Sequence, residues 1–211
     1  MREAPADATV IDWGVAALTS PGERQSGDLH LVKGVPAGTL VAVVDGLGHG
    51  AEAAAAARTA VTTLEEHAGE SVIALLQRCH VALKGSRGVV MSLAFLDQRA
   101  RSLTWAGVGN VEGVVLRGDG RSAARERIGL VARGGIVGSE LPLVRPQEVG
   151  LVAGDLLFFA TDGIREGFHE GFPADASPQH LADHILANHG KGTDDALVLV
   201  ARYRGATGTS R

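Results

Sequence analysis

Five aspartates stand where apolar runs stop or start. VAVVDG puts Asp45 after a stretch of valine and alanine, and LFFATDG puts Asp162 after another. TDDALVLV opens on Asp194 and Asp195, and SGDLHLV opens on Asp28. In an antiparallel sheet the end of one strand lies beside the start of its neighbour, so these carboxylates would gather at one edge. Carboxylates gathered near a core repel one another and lose hydration, and a bound cation resolves both costs. Every donor in the set is a hard oxygen. With one cysteine, Cys79, and no HExxH pair, zinc is disfavoured and Mg²⁺ or Mn²⁺ fits better. A carboxylate can bridge two such ions about 3.5–4 Å apart, and water held between them loses a proton near neutral pH. Chemistry of that kind needs no Ser, Cys or His nucleophile. Asp45 and Asp162 are each followed by glycine, Gly46 and Gly163. Glycine lets its carbonyl act as a ligand or a phosphate come close. Asp-Gly is also an ordinary turn dipeptide, so a single copy carries little; the set carries more.

The elements that must position these acids can be read from periodicity. Thr9 to Leu18 reads as a strand, SPGERQSG (20–27) as a turn-rich loop, and Asp28 to Val32 and Thr39 to Val44 as a strand pair. The alanine-rich run AEAAAAARTAVTTLEEHA (51–68) predicts a helix, because alanine is the best helix former. Val72, Leu75, Leu76, Cys79 and Leu83 form a one-sided stripe over a second helix, 71–84, with Ser71 as its cap. The period then changes. Runs at 89–97, 101–109 and 111–119, with a short strand near 123–128, read as a meander. DLLFFATDG (155–163) is another strand, SPQHLADHILANHG (177–190) a capped helix ending near Gly190, and DALVLVARY (195–203) a last strand. Grouped helices and hairpin-like connections argue for an α+β fold with antiparallel sheets. One domain is expected over 9–204, with flexible tails at 1–8 and 205–211.

Composition narrows the functions. The chain of 211 residues carries a net charge of −4 and has no basic run, which argues against nucleic acid or anionic lipid as a partner. A single cysteine allows no intrachain disulfide, and the N-terminal MREAPADATV has no signal-peptide core. No stretch approaches the roughly 18 consecutive apolar residues of a membrane span. The expectation is a soluble cytoplasmic protein.

SGDLHLV, VVDGLGHG, the alanine-rich helix, FFATDGI and TDDALVLV, in this order, resemble the metal-dependent (PPM, type 2C) Ser/Thr protein phosphatases. QRCHVALKGSRGVVMSLAFLD and TWAGVGNVEGVVL are similar to the small bacterial branch that acts on partner-switching regulators of sigma factors, its stressosome feedback phosphatases in particular. The resemblance spans roughly 9–203. It implies a four-layer αββα sandwich and a two-ion Mn²⁺ or Mg²⁺ centre at one end of the sheets. Asp45 would bridge both ions and the Gly46 carbonyl would bind one. Asp162 and Asp194 would bind the second, and Asp28 would hold an ion or its water. Asp195 is the alternative to Asp194. Catalysis would rest on Asp28, Asp45 and Asp162. The partner implied is a phosphorylated STAS-type regulator, a stressosome scaffold or an anti-sigma antagonist. Two positions depart from the family pattern. Gly27 stands where eukaryotic relatives carry a metal-binding glutamate, and Arg24 is only near the place of their phosphate-binding arginine.

Other residues have two readings each. His49 could protonate a leaving seryl oxygen or could hydrogen-bond within its loop. Cys79 reads as a buried thiol, Asn110 as a turn residue rather than a cleft residue, and Trp105 and Phe158 as core. Surface loops near 129–150 are the expected source of substrate choice. Two other functions compete with a protein phosphatase. One is an inactive interaction module that keeps the fold. The other is an ATP-binding anti-sigma-type kinase, faintly suggested by DGLGHG, which would need an asparagine-bearing helix upstream of Asp45.

Overall fold

The computed structural model describes residues 10–118, 126–170 and 175–205. The expected tails fall outside these residues, apart from Gly205, as do 123–125 of the short strand expected at 123–128. Three strands come first: β1 (Ile11–Leu18), β2 (Asp28–Val35) and β3 (Gly38–Gly46). Two helices follow, α1 (Gly50–Glu66) and α2 (Val72–Ala82). Then come β4 (Val89–Asp97), β5 (Ser102–Val108), β6 (Glu112–Leu116), β7 (Arg127–Leu130), β8 (Gln147–Gly150) and β9 (Leu156–Ala160). The helix α3 (Pro178–His189) and the strand β10 (Ala196–Tyr203) close the order. No helix among the described residues is long and apolar enough to cross a membrane. The described residues ahead of α1 include no helix, so the asparagine-bearing helix that a kinase would need upstream is not found among them.

The strands form two antiparallel five-stranded sheets, ordered β1-β10-β9-β6-β7 and β2-β3-β4-β5-β8. Their side chains sort into three buried layers. Leu40, Ala42 and Val44 of β3 pack with Ala57, Ala60 and Leu64 of α1 and with Leu75, Leu76 and Cys79 of α2. Val41 and Val43 point the other way and meet Phe159, Leu197 and Leu199 of the facing sheet. Phe158, Val198 and Val200 pack outward against Leu181, Ala182 and Ile185 of α3. The order is therefore helices, sheet, sheet, helix: the expected αββα sandwich. Central strands buried on both faces have no polar alternation, which is why β3 and β10 read as continuous apolar runs. Each fully buried Leu, Val or Phe contributes about 1.5–3 kcal/mol to this packing.

Two of the helices, α2 and α3, start at a side-chain cap. The Ser71 Oγ accepts the Ala74 N–H, and the Ser177 Oγ accepts the His180 N–H with Pro178 in the first turn. Gly190 caps the end of α3. Alanine on the buried face of α1 lets the helix approach β3 closely. A Cβ on Gly46 would stand 2.2 Å from the Ala53 carbonyl oxygen, so only glycine fits where strand and helix meet.

The expected meander over 89–128 is corrected. β4 and β5 pair in one sheet, but β6 lies in the other, between β9 and β7. The chain changes layer at Gly109–Asn110, and the Ser92 Oγ donates to the Val111 carbonyl across the step. β7 sits at Arg127–Leu130, later than the strand expected near 123–128. β8 lies within the stretch read as loop; it pairs with β5 but buries only Val149. A four-residue edge strand with one inward side chain has no period to read.

Candidate active site

The acids gather in two groups, a pair from one sheet and a trio from the other. In the first, antiparallel register sets Asp28 of β2 directly opposite Asp45 of β3. In the second, the β9–β10 ladder continues past Ala160: the Thr161 N–H donates to the Leu197 carbonyl, which carries Asp162 beside the start of β10. Asp194 and Asp195 immediately precede that strand. The trio is packed without slack, since a Cβ on Gly163 would stand 2.0 Å from the Asp195 carbonyl oxygen. The glycine after each aspartate is thus demanded by a close backbone approach, of α1 at Gly46 and of β10 at Gly163.

The sandwich brings the two groups to one cleft of about 490 Å³. Asp28, Asp45, Asp162, Asp194 and Asp195 all line it, with Leu47, Gly48 and His49 on one side and Asn110, Gly134 and Ile136 on another. Gly134 and Ile136 come from the stretch expected to surround the cleft. One hydroxyl ties the sheets together here: the Thr161 Oγ donates to Asp28 Oδ2 at 2.7 Å and accepts the Leu197 N–H at 2.8 Å.

The acids differ in how their charge is met. Asp28 is buried, and burial pushes its pKa up to about 7; the Thr161 hydrogen bond works against the rise, and Asp195, Asp162 and Asp194 add to it. Burial pushes Asp45 up to about 8, with further repulsion from Asp28, Asp162, Asp194 and Asp195. Asp162 and Asp194 are exposed to the cleft. Asp162 Oδ2 accepts from the Asn110 side chain at 2.9 Å, and Asp194 Oδ1 accepts the Asp195 N–H at 2.8 Å. Asp195 is buried and both of its oxygens are engaged, Oδ1 by the Ser20 N–H and Oδ2 by the Gly27 N–H, each at 2.7 Å. Among the described residues no three His, Cys, Asp or Glu side chains form a ready-made metal cage. The five carboxylates share a cleft without closing around a point in it.

The remaining sequence candidates separate. Arg24 is exposed on the 20–27 loop and is not part of the cleft wall. His49 does line the cleft, and its Nδ1 lies 2.6 Å from Glu23 Oε1, a pairing that no local pattern signals. Asn110, read as a turn residue, is a cleft residue as well; its side chain holds Asp162. The only signal for it was its place one residue after the glycine at which the chain changes sheet. Cys79 is fully buried with its thiol pushed up to about 12, which makes it inert, and Trp105 and Phe158 are core.

Three comparisons place this geometry among known proteins. The phosphoserine phosphatase RsbX of Bacillus subtilis (strain 168) is 31% identical over 108 residues, which are 51% of this chain and 54% of RsbX. The chain thus spans about half the length of the curated relative it matches. A solved structure from a bacterial stressosome adapted to control secondary messenger signaling is 32% identical, with a TM-score of 0.81 over 91% of this chain and 99% of that one. RsbX solved in complex with magnesium superposes with a TM-score of 0.77 at 21% identity, over 91% of this chain and 94% of that one, and this likeness shows the shared fold. The model of one family, Stage II sporulation protein E (SpoIIE), matches residues 36–204, from the start of β3 to the residue after β10. That span takes in four strands of each sheet and every cleft aspartate except Asp28, and by it the chain belongs to the Stage II sporulation protein E (SpoIIE) family.

Proposed function

We propose that the chain is a divalent-metal-dependent protein phosphatase that hydrolyses phosphoserine or phosphothreonine on a folded regulator. The observation that carries this reading is the meeting of a pair and a trio of strand-end aspartates in one cleft, with Asp28 buried, Asp45 half-buried and both facing like charges. Such a set is costly unless a cation offsets it, and perturbed acids in a cleft mark functional sites. The donors fit Mg²⁺ or Mn²⁺: all are carboxylate or carbonyl oxygens, and neither a thiol nor the His49 ring is needed. When bound, two such ions supply Lewis-acid chemistry, acidifying water and offsetting phosphoryl charge.

Asp45 and the Gly46 carbonyl would hold one ion, and Asp45, Asp162 and Asp194 the other. Asp194 is preferred to Asp195 because both oxygens of Asp195 already accept backbone N–H groups. Asp28 stays close enough to serve either an ion or its water, with Thr161 fixing one of its oxygens. Asn110 orients Asp162. The phosphoryl group would be met by Leu47–His49 and by Asn110, Gly134 and Ile136, which line the same cleft. The names of the relatives, a phosphoserine phosphatase and a stressosome component, support a phosphorylated STAS-type regulator as the partner, either a stressosome scaffold or an anti-sigma antagonist. An interaction module without turnover is the second reading, favoured by the lack of a closed carboxylate cage among the described residues. Phosphate release from phosphorylated scaffold or antagonist protein separates the two. The phosphatase reading expects release with Mn²⁺ and none in excess chelator. Equal release in both, or none in either, sinks it.

A further inference from the structure

The 20–27 loop joins β1 to β2 and reads as an ordinary exposed connection, yet one buried side chain holds both of its ends. Asp195 is 5% exposed; its Oδ1 accepts the Ser20 N–H and its Oδ2 accepts the Gly27 N–H. Charge-assisted bonds of this kind are the strong ones, and both acceptors are used up on the loop. The middle of the loop is pinned as well. Glu23 Oε1 lies 2.6 Å from His49 Nδ1, and the Arg58 guanidinium of α1 donates to Gln25 Oε1 at 3.0 Å. His49 is part of the cleft wall, and Asp28 follows the loop directly. Pro21, Gly22, Arg24 and Gln25 face solvent. The loop is therefore a raised rim beside the cleft, closed at its base by a carboxylate that sits among the candidate metal ligands.

We propose that Asp195 is a positioning residue that clasps the 20–27 loop into a recognition rim for the polypeptide carrying the phosphoryl group. The proposal rests on the phosphatase reading. Its observation is the pair of 2.7 Å bonds at the two ends of one loop, which leave Asp195 no free oxygen for an ion. A small phosphate ester confined to the cleft floor does not reach the outward residues of this loop, whereas a protein partner lying across the cleft mouth does. The exposed Arg24, with Arg58 beside Gln25, suits an acidic or phosphorylated partner surface. A clasp thus acts on protein substrates and spares small ones, while a ligand acts on both.

The test uses Asp195→Ala, which removes both acceptors, and Asp195→Asn, which keeps one. Hydrogen exchange should quicken by about tenfold or more at the Ser20 and Gly27 amides in the alanine variant, and at one of the two in the asparagine variant. The KM for phosphorylated stressosome scaffold protein should rise about fivefold or more, while that for p-nitrophenyl phosphate moves less than about twofold. Mn²⁺ affinity by calorimetry should weaken by less than about threefold, against more than about tenfold for Asp194→Ala. Loss of Mn²⁺ binding equal to that of Asp194→Ala, equal shifts in both KM values, or unchanged exchange at Ser20 and Gly27 overturns the proposal. If the alanine variant does not fold, Asp195→Asn carries each comparison. If the wild type releases no phosphate from either substrate, the phosphatase reading has failed on its own. Exchange, together with calorimetric binding of the phosphoprotein, then still decides for or against the clasp.

Discussion

The strand β9 has a buried aspartate near each end, and the two are treated in opposite ways. Just before it, Asp155 is 1% exposed and fully answered: its Oδ2 accepts from the Arg117 guanidinium at 2.8 Å and the Val152 N–H at 3.0 Å, and its Oδ1 accepts the Gly118 N–H at 2.8 Å. Just past its other end, Thr161 offers a single hydroxyl to Asp28, which otherwise faces Asp195, Asp162 and Asp194. Asp45 has repulsion from four aspartates and burial together. An acid whose task is to hold the fold is surrounded by donors, because a buried carboxylate without them costs several kcal/mol. At the cleft Asp28 and Asp45 are left short of donors, which is affordable only if something from outside the chain meets their charge.

The sharpest way to break this comparison is to neutralise one acid at each end. Asp45→Asn should lower Mn²⁺-dependent phosphate release by about 10²–10³-fold or more, the range for losing one preorganised electrostatic group. Its melting temperature in chelator should hold or rise, since a repelling charge has gone. Asp155→Asn should do the reverse. It leaves Arg117, whose side chain is 23% exposed, facing an amide, and should cost about 2 kcal/mol in urea unfolding while phosphate release per folded molecule stays near wild type. If Asp155→Asn removed activity, or Asp45→Asn destabilised the fold, the two ends would not differ in the way argued.

Much of this contrast was legible in the sequence, because a charge ending an apolar run is a local pattern. Asp28, Asp45, Asp162, Asp194 and Asp195 were all marked that way, and so were the three helices, whose caps and stripes span a few residues each. What was missed depends on residues distant along the chain. Asp195 and Ser20 are 175 positions apart, and nothing near either shows that one holds the other. Asn110 meets Asp162 across 52 positions, and the glutamate that pairs with His49 is 26 away. The sheet to which β6 belongs is likewise set by its pairing with the distant β9 and not by the strand before it, β5. The pattern marked the acids but not their partition between the two sheets, because strand periodicity says which side chains share a face and not which sheet that face meets.

The pH dependence of stability sharpens the comparison further. Folding raises Asp28 to about 7 and Asp45 to about 8, from an ordinary value of 3.8. Below that ordinary value both carboxyls are protonated in the folded and unfolded chain alike, and neither affects stability. As pH rises past it, the unfolded chain gives up protons that the folded chain keeps, so the folded chain binds more protons and stability falls with pH until about 8. The melting temperature in chelator should therefore decline from about pH 4 to about pH 8. Saturating Mn²⁺ should flatten the decline by binding the ionised form, and Asp45→Asn should remove part of it without metal. A metal-free protein most stable near pH 8 would mean that the cleft acids are better compensated than their neighbours suggest.

The smallest expected effect concerns Asn110, an exposed side chain that donates to a cleft acid. Its bond to Asp162 is open to solvent, so water replaces it in part when it is removed. Partners that orient metal ligands are worth about 10–100-fold in affinity when enclosed, and an exposed one belongs at the lower end. Asn110→Ala should weaken Mn²⁺ binding by about tenfold in calorimetry, with little change in urea unfolding. Asn110→Asp should weaken it differently, since a sixth carboxylate could either repel Asp162 or join it around the ion. If the aspartate variant binds more tightly than the alanine variant, the cleft tolerates added charge once a cation is present, which is what distinguishes it from the Asp155 end. If neither variant changes Mn²⁺ affinity, Asn110 is the turn residue that its sequence context suggests.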